Sequence, residues 1–427
     1  MSTKHYEWQI GERLPKLGEH SLAKHEIFDR YIGVYIDYLT KNPRQDKFRL
    51  TLVDGFCGGG TYRHNDGEAD GSPLRLLHAV EQREIAVAAT RRKPFRIEAD
   101  FFFVDENAKH IAFLEDLLVK RGYGSRIGRD IFLRRSPFEK SCPEIIAHIQ
   151  RKGSANRSLF FLDQYGWSDV RFATIRRILA ELANPEILLT FAVDALINFL
   201  SEKTSENEAL MAIDYGREDV RDLMAMRDER GWRYLIQNSL YQHVQARTGA
   251  KFYTPFFIHS AESHRSYWLL HLSQHRQARD EMGKLHWLVQ NHFQHHGGPG
   301  FHALGFNPKR DLRQDMMSFM FDDDAMKRSE SAVLEQLPQM IRANGDGMTP
   351  IALEHLFAAN CNETPVTSDI LKRQIIRLRQ EGELAIVDAY GSPRPRAENL
   401  SWTDRIVLPT QRTLFGPFGT PALQNKG

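Results

Sequence analysis

The sequence predicts an α/β protein: a doubly wound, Rossmann-like sheet with a helical insertion, followed by a C-terminal winged helix-turn-helix. Three observations lead there. Five short apolar runs, "FRLTLVD" (48–54), "ADFFFVD" (99–105), "DIFLRR" (130–135), "SLFFLD" (158–163) and "EILLTFAVD" (186–194), alternate with helical stretches. Near-uniform apolar strands of this kind belong to a parallel sheet covered on both faces. A polar, helix-rich segment interrupts the alternation at about 205–255, before one more strand-like run, "RSYWLLHLS" (265–273). From about residue 330 the pattern becomes three helices and a hairpin, the outline of a winged helix.

The first element is an amphipathic helix over 20–40, where Ile27, Tyr31, Val34 and Leu39 recur near helical spacing. With the residues before it, this helix makes an N-terminal segment, 1–45; the sheet domain takes 46–325 and the winged helix 330–427. Crossover helices are read at "SPLRLLHAVEQREI" and "SDVRFATIRRILAEL". Among the strand runs that end in acids are those closing at Asp54, Asp105 and Asp163. In doubly wound sheets ligands sit at the carboxyl ends of the strands, near the point where strand order reverses. In the C-terminal unit the helices are "SAVLEQLPQMIRAN", "TPIALEHLFAAN" and "TSDILKRQIIRLRQEG", the last two opening at Thr and Ser/Thr caps and the third stopping at Gly382. The hairpin, with a long loop, is "ELAIVDAYGSPRPRAENLSWTDRIVLP".

Composition bounds the function classes. A chain of 427 residues suits two domains with ample cores. With 57 Lys+Arg against 55 Asp+Glu, the net charge of +2 neither demands nor excludes a polyanionic partner, so charge has to act locally. Cys57, Cys142 and Cys361 share no C-x-x-C spacing, which argues against a disulfide framework or zinc knuckle and fits a reducing cytoplasm. No stretch approaches the roughly 18 uncharged apolar residues of a membrane span, so no membrane partner is expected.

"VDGFCGGGTY" (53–62) places an acid, an aromatic and four glycines behind the first strand. Glycine lets backbone approach a ligand closely and tolerates positive φ. The turn matches neither G-x-G-x-x-G nor the Walker pattern and has no P-loop lysine, which argues against a nucleoside triphosphate. "FFFVDEN" ends the second strand in Asp105 and Glu106, acids able to accept from ribose hydroxyls. A nucleoside-type cofactor such as S-adenosylmethionine suits a glycine turn plus an acid. In "FFLDQYGWSDV" (160–170), Asp163 could orient an exocyclic amine while Tyr165 holds the ring plane.

"VDGFCGGGTY" resembles the first motif of DNA amino-methyltransferases, in which an acid, a Phe and a Gly-x-Gly-Thr turn bind S-adenosylmethionine; "DQYG" stands at the place of their Asp-Pro-Pro-Tyr motif. That resemblance implies cofactor contacts at Asp54, Phe56, Gly58, Gly60 and Thr61. The ordered set "LAKHEIFDRYIGVYIDYL", "LVDGFCGGGTY", "DGSPLRLLHAV", "FFVDEN" and "FFLDQYGWSDV" is similar to the three-Cys-motif partner protein (TcmP) family. Its hallmarks are Lys-His near the N-terminus, Asp-x-Phe-Ala-Gly-Pro-Gly, Gly-Ser-Pro and Asp-Pro-Phe-Gly. They correspond here to Lys24-His25, 54–60, Gly71-Ser72-Pro73 and 163–166. The resemblance covers about 20–300 and implies a class I methyltransferase-like domain, a three-cysteine, radical-SAM-like partner protein, and substrate or cofactor contacts at Lys24 and His25. Cys57, Gly59 and Gln164 depart from the pattern, standing for its Ala, Pro and Pro.

Other features have plainer readings beside functional ones. Cys57 lacks the Pro-Cys context of a cytosine C5 methyltransferase and reads as a small buried residue. His286, His292, His295, His296 and His302 invite a metal, but an exposed helix end with a glycine loop accounts for them, so no metal is expected. In the winged helix, Lys372, Arg373, Arg377 and Arg379 lie opposite an apolar stripe of Leu371, Ile375 and Leu378. They could lie along nucleic-acid phosphates, with Arg394 and Arg396 extending the contact, or mediate a protein contact. "QRTLFG" (411–416) resembles a sliding-clamp peptide through Gln411, Leu414 and Phe415; the alternative is a terminal strand burying both apolar side chains.

Overall fold

A computed structural model describes residues 6–65, 67–201, 207–228, 232–260, 265–289, 294–296, 318–320, 322–343, 349–364, 366–394 and 398–409. The chain falls into two compact units, 1–329 with 360–367, and 330–359 with 368–427.

The first unit opens with α1 (Glu19–Leu39) and β1 (Lys47–Asp54), then a hairpin of β2 (Thr61–His64) and β3 (Gly67–Asp70). It continues through α2 (Ser72–Ala89), β4 (Arg96–Asp105), α3 (Ala108–Lys120), β5 (Ile131–Arg135), α4 (Phe138–Arg151), β6 (Arg157–Leu162), α5 (Phe172–Glu181) and β7 (Pro185–Phe191). The segment read as an insertion carries α6 (Val193–Phe199), α7 (Glu208–Ala212), α8 (Arg217–Ala225) and α9 (Trp232–Thr248), after which come β8 (Phe252–Ser260), β9 (Arg265–Ser273) and α10 (Arg276–Val289). A short pair, β10 (Gln294–His296) and β11 (Ser318–Met320), runs antiparallel.

Every apolar run becomes a strand of one mixed, mostly parallel sheet, ordered β5-β4-β1-β6-β7-β9-β8. β5, β4, β1, β6 and β7 run parallel to one another; β9 is antiparallel to both β7 and β8. β8 begins inside the expected insertion and holds Pro255, which is tolerated because β8 is an edge strand. Alternation sorts the side chains: Val53, Phe102, Phe160 and Leu162 join a core with α4, α5 and α9, and Phe101, Phe103 and Phe161 are buried on the opposite face. α1 packs on α2 and α10 on that second side.

A buried polar cluster fixes α1. The Tyr31 hydroxyl donates to Glu186 at the start of β7, and His271 Nε2 of β9 lies 3.0 Å from Tyr31 Oη and 3.1 Å from Glu186 Oε2. Arg75 of α2 pairs with Asp29 of α1 at 2.5 Å. Lys24 lies seven residues, about two turns, before Tyr31 and so shares its inward face.

Residues 360–367 complete the first unit. Asn362 Oδ1 accepts from Tyr253 N–H at 2.9 Å, its Nδ2 donates to the Lys251 carbonyl at 2.9 Å, and the fully buried Arg279 donates to the Thr364 carbonyl. The second unit holds most of α11 (Asp323–Ala343), then β12 (Ile351–Ala352), α12 (Leu353–Asn360), α13 (Ser368–Gln380), β13 (Ala385–Val387) and β14 (Arg405–Val407). The hairpin is a three-stranded sheet, β12-β14-β13, because Ile351 and Ala352 pair with β14 before α12 begins. That pairing moves the helix start from the expected threonine to Leu353. Gly382, at φ +79°, follows α13 as expected.

Candidate functional site

Strand order reverses between β1 and β6, and β1 hands the chain to the glycine turn at that point. The turn is stitched to both neighbouring strands: Gly55 N–H donates to Phe161 O at 2.9 Å and Cys57 N–H to Val104 O at 3.0 Å. Gly58 and Gly60 have φ of +57° and +83°, the left-handed region that glycine enters without strain. The turn does not lead straight into a helix. The β2–β3 hairpin intervenes and returns Gly71 to the turn, where its N–H donates to Gly60 O at 2.8 Å. α2 therefore still starts beside the glycines.

Asp54 is buried, and its Oδ1 accepts the Phe56 N–H at 3.2 Å. Burial pushes its carboxyl up to about 7; the Ser72 hydroxyl and Phe56 N–H oppose that rise, and the negative charges of Asp163 and Asp105 add to it. Its Oδ2 has no hydrogen-bond partner among the described residues. Cys57 is buried too, and burial pushes its thiol well above the usual range, which makes it a packing residue and no nucleophile.

Asp105 organises the turn. Its Oδ2 accepts Gly58 N–H at 3.1 Å; its Oδ1 accepts Asn107 N–H at 2.8 Å and lies 3.1 Å from His110 Nδ1. Three of about four lone-pair sites are occupied, which leaves one for a ribose hydroxyl. Glu106 is exposed. The Thr61 hydroxyl donates to Ala69 O at 3.3 Å. The Phe56 ring packs against Phe138, 6.4 Å between centroids.

Lys24 and Asp163, 139 positions apart, meet at the crevice: Nζ lies 2.5 Å from one carboxylate oxygen and 2.7 Å from the other. Burial alone would raise the Asp163 carboxyl, but the adjacent Lys24 ammonium outweighs it and holds the group below the ordinary carboxylate range. His25 is buried, with Nδ1 unpartnered among the described residues; burial first, and then the Arg75 charge, bring it down to about 3, so it is neutral at physiological pH. Tyr165 is 47% exposed, its ring 6.4 Å from Tyr6.

Gln164 answers for its missing proline. Its Nε2 donates to Thr190 O at 3.0 Å and its Oε1 accepts Val170 N–H at 3.1 Å, a buried clamp across the 163–170 loop. Gln164→Ala should lower stability by about 2 kcal/mol, because a carbonyl and an N–H lose their partners. Urea denaturation reads this directly; an unchanged midpoint would show that the loop does not depend on the clamp.

Sequence reasoning missed Trp8 and His110, and named Ser72 only as part of the Gly-Ser-Pro motif. Trp8 stands with Tyr6 in a polar segment without periodicity, yet its Nε1–H donates to Thr61 O at 2.6 Å inside the site.

Three of the cations read as phosphate contacts have partners within their own unit: Lys372 Nζ sits 4.6 Å over the Trp402 ring, Arg373 pairs with Glu330 at 2.5 Å and Arg377 with Glu381 at 3.0 Å. Arg394 pairs with buried Asp404. Gln411, Leu414, Phe415, Arg396, His292 and His302 lie outside the described residues. Among the described residues no group of three or more His, Cys, Asp or Glu could hold a metal ion, and no helix is long and apolar enough to cross a membrane.

Residues 305–391 match the family model of the GMT-like wHTH domain. No curated protein matches the chain. Solved structures with some likeness include protein LPL1258 from Legionella pneumophila (TM-score 0.35, 10% identity, 60% of this chain and 85% of that one). Another is PKMT2 from Rickettsia typhi in complex with AdoHcy (TM-score 0.25, 11% identity, 81% and 72%). A third is an O-methyltransferase from a trans-AT PKS multienzyme of Brevibacillus brevis with S-adenosyl-L-homocysteine (TM-score 0.19, 9% identity, 67% and 91%). At such scores the likenesses leave function open.

Proposed function

We propose that the first unit is a class I methyltransferase-like domain that binds S-adenosylmethionine at the carboxyl ends of β1, β4 and β6, and that it works on or with nucleic acid together with a three-Cys-motif protein. The observation that carries the cofactor reading is Asp54: a buried carboxylate oxygen without a donor, beside a glycine turn, at the point where strand order reverses. A cationic ligand supplies what that oxygen lacks, and S-adenosylmethionine bears both an ammonium and a sulfonium. Asp54 and the N–H groups of Gly59 and Gly60 would hold it, with the remaining lone pair of Asp105 for its ribose. When bound, the cofactor supplies an activated methyl group, so the protein's own task is positioning.

A second reading, a non-catalytic adaptor, draws on one specific feature. Lys24 takes one lone-pair site on each Asp163 oxygen, so an acceptor amine has to compete with that ammonium for the carboxylate. The partner protein and nucleic acid follow from the resemblance and from the matched winged helix-turn-helix.

Calorimetric titration with S-adenosylhomocysteine tests the cofactor reading. Micromolar binding by the wild type, lost in Asp54→Asn, is the expected result; absence of binding, with nucleic acid present or not, would move the assignment to the adaptor.

A further inference from the structure

We infer that residues 6–17 form a strap that closes the glycine turn, with Trp8 seated where Gly58 and Gly59 have no side chain, and that the cofactor enters only when the strap lifts. The inference rests on the cofactor reading above. Trp8 is 2% exposed. A Cβ at Gly58 would lie 2.7 Å from its Cη2, and one at Gly59 would overlap its Cγ, so the room these glycines leave is taken by the indole. The ring is edge-packed on His110 and Tyr62, with centroids 4.9 and 5.2 Å apart. A ligand that used the open backbone of the turn would need the same space.

The strap has two anchors and a joint. At its far end, Leu17 N–H donates to Arg63 O and Arg63 N–H to Pro15 O, both at 2.9 Å, along the edge of β2. Between this anchor and Trp8, residues 9–13 are exposed, with Gln9 Oε1 accepting from Lys109 Nζ at 3.1 Å on the surface, and Gly11 has φ +85° with nothing near its missing Cβ. Rotation at the joint can therefore lift Trp8 while the second anchor stays in place.

A closed state that dominates the population lowers apparent affinity by the fraction of open chains. Trp8→Ala should therefore bind S-adenosylhomocysteine about tenfold more tightly than the wild type. In the full-length wild type, saturating S-adenosylhomocysteine should speed tryptic cleavage after the exposed Arg13. Gly59→Ala is the reciprocal variant: it should speed that cleavage without ligand, and add nothing in the Trp8→Ala background. Equal or weaker binding by a Trp8→Ala protein with a native circular dichroism spectrum overturns the strap, as does protection of Arg13 by the ligand; the cleavage arm stands even if Trp8→Ala does not fold. Absence of binding in every variant defeats the cofactor reading, whereas tight binding indifferent to Trp8 defeats the strap alone.

Discussion

Asp54→Asn should make the protein more stable at pH 8, by about 3 kcal/mol, while removing cofactor binding. The Asp54 carboxyl titrates at about 7 when folded, against roughly 4 in an unfolded chain. Between those values the folded state keeps a proton that the unfolded state releases. This contribution is therefore complete below about pH 4, declines as pH rises, and is gone above 7, a span of about 4 kcal/mol. His25 works in the opposite sense. Held down to about 3, it refuses a proton that the unfolded chain accepts below about 6.5, so acid destabilises through it. The wild-type profile thus contains two cancelling slopes, and only its difference from Asp54→Asn isolates the carboxyl. Asparagine keeps the acceptor for Phe56 N–H and places a donor near the charges of Asp105 and Asp163. Urea unfolding at pH 5, 7 and 8 for both proteins should show a gap that widens with pH. A constant gap would mean that the carboxylate already has a partner.

Lys24→Met should cost about 3 kcal/mol at pH 7, since it leaves a partly buried carboxylate without its cation. Asp163 is held below the ordinary carboxylate range. The pair therefore stabilises above about pH 4 and loses its effect as pH falls through the lower folded value. The deficit of Lys24→Met should shrink as pH falls below the ordinary carboxylate range and vanish once Asp163 is protonated in the folded wild type. Adding Asp163→Asn should recover most of the loss at pH 7, because no buried charge then remains unpaired. Simple additivity in this double-mutant cycle would show that the two groups do not support each other. The cycle also bears on the adaptor reading, since Asp163→Asn leaves Lys24 free for an incoming anion.

The central sheet was legible because its strands are apolar on both faces. Runs such as 99–105 and 158–163 can be nothing but buried, and they formed β4 and β6. β8 was hidden by its proline and by the polar helices before it, which drew the insertion's boundary past its start. The β2–β3 hairpin carried its own sign, Asn65-Asp66-Gly67, a turn sequence between short strands. A glycine motif read for its ligand left that sign unread. In the site, the acids at strand ends were visible as local pattern. Their partners were not: Lys24 reaches Asp163 across 139 positions, and Trp8 reaches the glycines across about fifty. Such pairings depend on where α1 and the first residues pack, which no local periodicity encodes. The same limit explains the winged helix. Its stripe of cations could be read from the sequence, and so could Glu381 four residues after Arg377, but Glu330 and Trp402, which engage Arg373 and Lys372, could not.

Residues 360–367 bear on how separable the two units are. The winged-helix unit is built from two stretches of chain on either side of a segment that belongs to its neighbour. Ending the chain at 329 would strip Asn362 from the backbone of β8 and leave the Arg279 guanidinium buried without the Thr364 carbonyl. The winged helix is therefore no interchangeable tail that recombination could add or remove at a single junction.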